Sequence, residues 1–175
     1  NKSRIPAVSN CEYLVDIKMY ETYPVEFNLK KADLFVENGD KPLTVNLDWG
    51  TIDLQTVGMI NVKCGDCDLT GEKIKGAVQF NLDNGNVGLS GLTTNVDGIT
   101  YGDTVLKWEK LAVNTSVKLV SRAGDVILQF PRGSRLSLDV KVPKGEIFSK
   151  KGKVEEESGI PVSITAEAGN VKLYR

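Results

Sequence analysis

The side chains that could carry out chemistry in this chain are restricted, because the sequence contains no histidine. This excludes a Ser-His-Asp or Cys-His nucleophile, an HExxH zinc site and a histidine proton shuttle within these 175 residues. Only cysteine, carboxylate, lysine or tyrosine chemistry remains. The cysteines, the aspartates and the aromatic residues are therefore the candidates to consider.

Cys64-Gly-Asp-Cys67 is the one motif that could be reactive. A redox-active CxxC takes its low thiol pKa from a helix N-terminus, and a zinc site needs a second pair of ligands. The sequence shows neither feature, so we predict that Cys67 is a small buried apolar residue in the slot that Ile52, Val78 and Val87 fill elsewhere. With three cysteines at least one thiol is free, and we do not expect disulfide bonds to stabilise the domain.

Aspartate and asparagine are frequent near the predicted turns, which raises the question of calcium binding. Asn95-Val-Asp97-Gly98 supplies two oxygen ligands, but no further acidic residue follows at the spacing of a calcium loop. Turn chemistry accounts for these residues, since Asp and Asn side chains hydrogen-bond to the backbone of turns. We therefore predict no metal and no cofactor.

Paired carboxylates are the one enzymatic option that needs no histidine, because glycoside cleavage requires an acid and a second carboxylate a few ångströms apart. Asp53, Asp68 and Asp83 are predicted to point outward and to stack along one face. Outward aspartates beside strands more commonly protect edges and improve solubility. We assign no catalytic residue, and a polysaccharide-active enzyme is the third functional hypothesis.

Aromatic residues are the stronger indication of a ligand or partner surface. Tyr20 and Tyr23 flank a turn at Pro24, and Tyr101 and Trp108 bracket the least regular segment of the chain. A loop there would present rings for stacking on sugars or on a partner protein. A local hydrophobic core is the alternative interpretation of these aromatic residues.

Charge and hydropathy exclude further classes of function. The chain has 22 Lys and Arg against 23 Asp and Glu, so it lacks the basic field that binding to nucleic acid requires. No apolar run approaches the ~18 residues that span a bilayer, and we expect no membrane insertion by this segment. The first residues contain no apolar signal core, which leaves either a cytoplasmic location or a targeting segment that precedes Asn1.

The elements that position these residues are predicted to be β-strands. Val, Ile and Thr total 41 residues against 7 Ala, the reverse of what helical proteins use. Apolar residues alternate with other residues, and no amphipathic helix longer than one turn fits the chain. The alternating segments are Leu43-Val45-Leu47-Trp49, Val78-Phe80-Leu82, Val126-Leu128-Phe130, Leu136-Leu138-Val140-Val142 and Val162-Ile164-Ala166.

A recurring unit organises these strands: a glycine, usually a small polar residue, an apolar residue, any residue, and a second apolar residue. Glycine accepts a positive φ at a tight corner, and the two apolar residues point to one face. Short units at small spacing favour a β-solenoid, and a β-sandwich with tight hairpins is the alternative. The unit starts at Gly50, Gly58, Gly65, Gly76, Gly85, Gly124 and Gly169, with a partial copy at Gly145.

The order of segments in the second half of the chain resembles a known family. A Gly124-Asp125-Val126 strand precedes a proline, a long alternating strand follows over residues 134–140, and Gly169-Asn170-Val171 begins the closing strand. This layout, over residues 43 to 175, is similar to that of the toastrack family. These are bacterial β-solenoid domains of unknown function that are also named as adhesins. The resemblance implies a right-handed solenoid from cell-envelope contexts, and it supplies no catalytic residue.

Together these observations predict one all-β domain, with strands or a cap in residues 1–42 and β-solenoid repeats in residues 43–175. We expect a non-enzymatic interaction, adhesion or sensing module of the bacterial cell envelope or the extracellular space. Its partner would be a protein or a glycan that the sequence does not identify, and a homo-oligomer is compatible with exposed solenoid ends. A self-assembling, filament-type scaffold is the second functional hypothesis.

Overall fold

The computed structural model describes residues 23–149 and 159–175. Every helix or strand assigned within these two ranges is a β-strand, which confirms the predicted all-β class. Residues 1–22 of the predicted cap, Tyr20 among them, lie outside the described residues. The strands are β1 (Val25–Glu37), β2 (Leu43–Gln55), β3 (Ile60–Glu72), β4 (Val78–Asn84), β5 (Val87–Leu92), β6 (Val96–Thr100), β7 (Thr104–Trp108), β8 (Val117–Ser121), β9 (Val126–Gln129), β10 (Leu136–Lys141), β11 (Ile147–Ser149), β12 (Ile160–Ala166) and β13 (Val171–Tyr174).

The strands stack in parallel into two columns, which confirms the β-solenoid and excludes the antiparallel sandwich. The first column contains the first halves of β1, β2 and β3, followed by β4, β6, β8, β12 and β10. The second column contains the second halves of β1 to β3, followed by β5, β7, β9, β13 and β11. Each coil passes once through each column. A row of opposite residues, one from each coil, is called a rung below.

The core lies between the two columns and is built from rungs of mainly aliphatic side chains. Burial alternates along the strands: in β4, Val78, Phe80 and Leu82 are buried while the residues between them are exposed. One face of each strand therefore contacts the core and the other faces solvent, as the alternating sequence pattern predicted.

A tight corner joins the two columns in each coil. Gly85 and Gly169 have φ angles of 113° and 121°, and a Cβ at either residue would collide with a carbonyl of the adjacent coil. Only glycine combines this φ with so close an approach of two backbones. The corner rung contains Ala32, Gly50, Cys67, Gly85, Gly102, Gly124, Gly169 and Gly145.

The structure divides the predicted glycine unit between two places. Gly50 and Gly85 lie at the corner, whereas Gly58 and Gly76 lie at the turn that leads from the second column into the next coil. The predicted slot of Cys67 is wrong, because Cys67 lies opposite Gly50 at the corner and not in the rung of Ile52. The repeat that begins at Gly65 is therefore shifted by two residues relative to the repeat that begins at Gly50.

The last two coils stack in the reverse of their order along the chain. β12 lies between β8 and β10, and β13 lies between β9 and β11. The C-terminal coil is therefore enclosed on both sides, and the coil of β10 and β11 forms one end of the described solenoid. No local pattern in the sequence indicates this insertion.

The one-sided burial of β9 leads to a matched pair of substitutions. Val126→Asp buries a charge in the core and should lower the free energy of unfolding by about 3 kcal/mol or more. Ile127→Asp faces outward from the same strand and should cost about 1 kcal/mol or less. Urea unfolding of both variants measures the difference, and equal losses would contradict the one-sided arrangement.

Candidate functional site

Trp108 belongs to the core and not to a ligand surface. Its side chain is 5% exposed, and its ring stacks on Phe130 with centroids 4.7 Å apart. The indole Nε1 donates a hydrogen bond to the carbonyl oxygen of Thr94 at 3.0 Å. Of the two interpretations that the sequence left open for Trp108, the local core is therefore correct.

Tyr101 and Tyr23 are exposed, but the structure does not bring them together. The side chain of Tyr101 is 46% exposed just after β6, and the guanidinium carbon of Arg122 lies 5.6 Å from its ring centroid. Tyr23 is 76% exposed and precedes β1, several coils away from Tyr101. Of the four aromatic residues predicted to form a ligand surface, Tyr101 is therefore the one that we keep as a candidate.

An exposed tryptophan that the sequence analysis missed lies on the same side of the solenoid as Tyr101. Trp49 is 50% exposed, and the ammonium of Lys31 lies 4.4 Å from its ring centroid. Trp49 directly precedes the corner residue Gly50, just as Tyr101 directly precedes the corner residue Gly102. The alternating pattern assigned Trp49 to the core, but the corner interrupts the alternation and turns the residue before it outward.

Lys31, Trp49, Asp66 and Asn84 form one row along the outside of the corner, and Tyr101 lies in the next coil, directly before its own corner residue Gly102. These five residues are here called the corner ridge. The side-chain nitrogen of Asn84 donates a hydrogen bond to the Asp66 carboxylate at 3.0 Å. Neighbouring strands are ~4.8 Å apart, so the backbones of Trp49 and Tyr101, three coils apart, are separated by about 14 Å along the solenoid axis. The ridge thus places a carboxylate and an amide between two aromatic platforms.

A ladder of Asp and Asn side chains fixes the corner from within the turn. The Asp68 carboxylate accepts a hydrogen bond from the backbone N–H of Asn86 at 2.8 Å, and the Asn86 side-chain oxygen accepts one from the N–H of Asp103 at 2.9 Å. Asp103 and Asp125 repeat the contact with the N–H groups of Asp125 and Asn170. These oxygens satisfy backbone donors of the next coil, which is the turn role that the sequence predicted.

Asp125 carries the clearest electrostatic perturbation in the described residues. The Lys172 ammonium donates a hydrogen bond to its carboxylate at 2.8 Å, and together with the N–H of Asn170 this contact lowers the pKa of Asp125. The same contact raises the pKa of Lys172. The ion pair is a structural element of the corner ladder.

Cys64 and Cys67 form a disulfide, which the sequence analysis did not expect. Their Cα atoms are 6.1 Å apart, and both side chains are buried. Cys64 lies in the core rung of Leu47 and Leu82, while Cys67 lies at the corner. The bond therefore links the end of the first column to the start of the second within one coil.

The aspartates considered for catalysis do not stack. Asp53 lies opposite Thr70, whose hydroxyl donates a hydrogen bond to its carboxylate at 3.3 Å. Asp68 belongs to the corner ladder, and Asp83 lies on β4 in the first column. The predicted row of three outward carboxylates is wrong, because the residues occupy three different rungs. Among the described residues, no three His, Cys, Asp or Glu side chains are grouped as a metal site would require.

Comparison with models of protein families gives a match over most of the chain. The model described as Toastrack DUF4097 matches residues 46–173. No curated protein and no solved structure gives a significant match. In the part of the chain that the structure describes, no helix could cross a membrane.

The pKa shift of Asp125 predicts a pH-dependent contribution to stability. Because its pKa is lowered on folding, the carboxylate stabilises the fold above its ordinary pKa of 3.8, and this contribution disappears as the pH falls through the lowered value. Asp125→Asn should therefore be less stable than the wild type at neutral pH and should approach it in acid. Urea unfolding across this range tests the prediction, and a pH-independent difference would contradict it.

The disulfide predicts a defined thiol count. Protein from an oxidising compartment, denatured without reductant, should react at one thiol per chain, and after reduction at three. Reduction should lower the free energy of unfolding by about 2 kcal/mol, the loop-entropy value for so short a loop. A variant with Cys64→Ala and Cys67→Ala should be insensitive to reductant. Three reactive thiols before reduction would contradict the bond.

Proposed function

This chain belongs to the Toastrack DUF4097 family, and from that premise we propose that it is a non-enzymatic adhesion or sensing module of the bacterial cell envelope, with the corner ridge as its ligand-binding surface. The family has no assigned molecular function, so the proposal depends on this chain's own surface. Its ligand would be an extended glycan or cell-wall fragment.

The corner ridge carries the proposal. Trp49 and Tyr101 are about half exposed, and both lie directly before a corner residue on the same side of the solenoid. Each ring has a cation, Lys31 or Arg122, over it. Aromatic faces stack on the apolar faces of sugars, and the Asp66 and Asn84 groups between them would hydrogen-bond to sugar hydroxyls.

The rigidity of the solenoid supports binding of an extended ligand. The two aromatic platforms are fixed three coils apart at a spacing that the strand ladder sets, so a ligand would find them already in place. Preorganised groups bind more tightly because less conformational entropy is lost on association. A linear polymer lying along the solenoid axis would contact both rings at once.

The disulfide supports an extracytoplasmic location. Disulfides persist in oxidising compartments and are rare in the cytosol, where thiols are kept reduced. The buried Cys64–Cys67 bond favours the envelope over the cytoplasmic alternative. The scattered positions of Asp53, Asp68 and Asp83 favour a binding role over the hydrolytic one, since glycoside cleavage needs two carboxylates facing each other.

The test is a binding screen of the purified domain against glycans and cell-wall fragments, with light scattering of the same sample. For a glycan that binds, Trp49→Ala and Tyr101→Ala should each weaken binding by roughly tenfold or more. Phe35→Ala is the matched control, because Phe35 is 57% exposed on another face of the solenoid. Equal loss in all three variants, or no binding by a monodisperse sample, would contradict the proposal.

A further inference from the structure

The outer edge of β10 is an open strand edge at the end of the solenoid. β10 pairs with β12 on one side and with no other strand in the described part of the chain. The backbone N–H and C=O groups on its other side form a template for another strand. The inward residues Leu138, Val140 and Val142 are only half buried there.

We propose that two copies of this chain form a closed dimer in which β10 of one copy pairs antiparallel with β10 of the other. Such an interface is two-fold symmetric, so each copy contributes the same strand and the assembly stops at two. The sheet of the first column would continue across the dimer. This inference goes beyond the proposed function and does not depend on it.

The charges of β10 select this partner and one register. Asp139 and Lys141 point outward, are exposed, and make no hydrogen bond or ion pair within the described residues. With Val140 at the two-fold axis, Asp139 faces Lys141 of the second copy, and the reverse pair forms as well. The same register places Leu138 opposite Val142 on the core side. Shifting the centre to Asp139 or Lys141 instead opposes two like charges.

The charges also disfavour a filament of copies stacked head to tail. Continuing the rungs from β10 into β1 of another copy would place Asp139 opposite Glu26 and, in the second column, Glu146 opposite Asp33. Asp139 and Glu26 would be like charges directly opposite each other on straight strands, which destabilises strand pairing. The second pair would lie in the rung of the corner ladder, where Asp103 and Asp125 already lie opposite each other. The structure thus favours the closed dimer over the filament-type scaffold.

One strand pair buries less surface than a permanent interface does, so the dimer belongs to the weak, transient class. Sedimentation analysis of the full chain over the micromolar range measures its dissociation constant. Asp139→Lys and Lys141→Asp each turn both attractive pairs into repulsive ones and should raise that constant roughly tenfold or more. The double variant with both changes restores opposite charges and should dimerise like the wild type.

A mixture provides the sharpest readout. The Asp139→Lys variant presents two lysines and the Lys141→Asp variant presents two aspartates, so mixing them should give a heterodimer although neither dimerises well alone. Circular dichroism checks that each variant folds, which their exposed positions allow. Glu26→Lys on β1 is the matched control and should leave dimerisation unchanged.

Three outcomes would overturn the inference. They are a wild-type monomer at all concentrations, oligomers that keep growing beyond two, and a dimer that responds to Glu26→Lys but not to the β10 variants. The third outcome would move the interface to the opposite end of the solenoid. None of these results affects glycan binding at the corner ridge, so the two proposals fail separately.

Discussion

The corner between the two columns is the constraint on which the rest of the structure depends. Successive coils approach there to backbone contact, which requires glycine at positions such as Gly85 and Gly169. The Asp and Asn side chains of the adjoining rung then accept hydrogen bonds from backbone N–H groups of the next coil. From the coil of β3 onward, each coil is hydrogen-bonded to the next at its corner, which holds the coils in register at that point.

The same corner determines what the surface presents. Alternation of inward and outward residues holds along a straight strand, but the bend interrupts it, so the residue before the corner faces outward whatever its polarity. An apolar ring in that position gains no core burial. The half-exposed rings of Trp49 and Tyr101 therefore follow from their positions directly before the corner.

The sequence predicted what local physics determines and missed what long-range stacking determines. Alternation identified the buried residues of β4 and β9, and the glycine units indicated corners, because both signals depend on a few adjacent residues. Three features depend instead on which residues lie opposite each other in neighbouring coils. They are the outward direction of the Trp49 side chain, the corner position of Cys67 and the bond between Cys67 and Cys64. The repeat at Gly65 is shifted by two residues, and its own sequence gives no sign of the shift. The sequence therefore predicted the wrong rung for Cys67.

The inserted C-terminal coil determines which strand forms the end of the solenoid. Had the coils stacked in chain order, β12 would form the end, and its outward residues Pro161, Ser163 and Thr165 carry no charge. Charged side chains on an open edge limit indiscriminate strand pairing, and on β12 only Pro161 would serve that purpose. Insertion of β12 and β13 buries that edge and leaves β10, with Asp139 and Lys141, at the end. The topology thereby replaces an uncharged edge with one that carries two exposed, opposite charges.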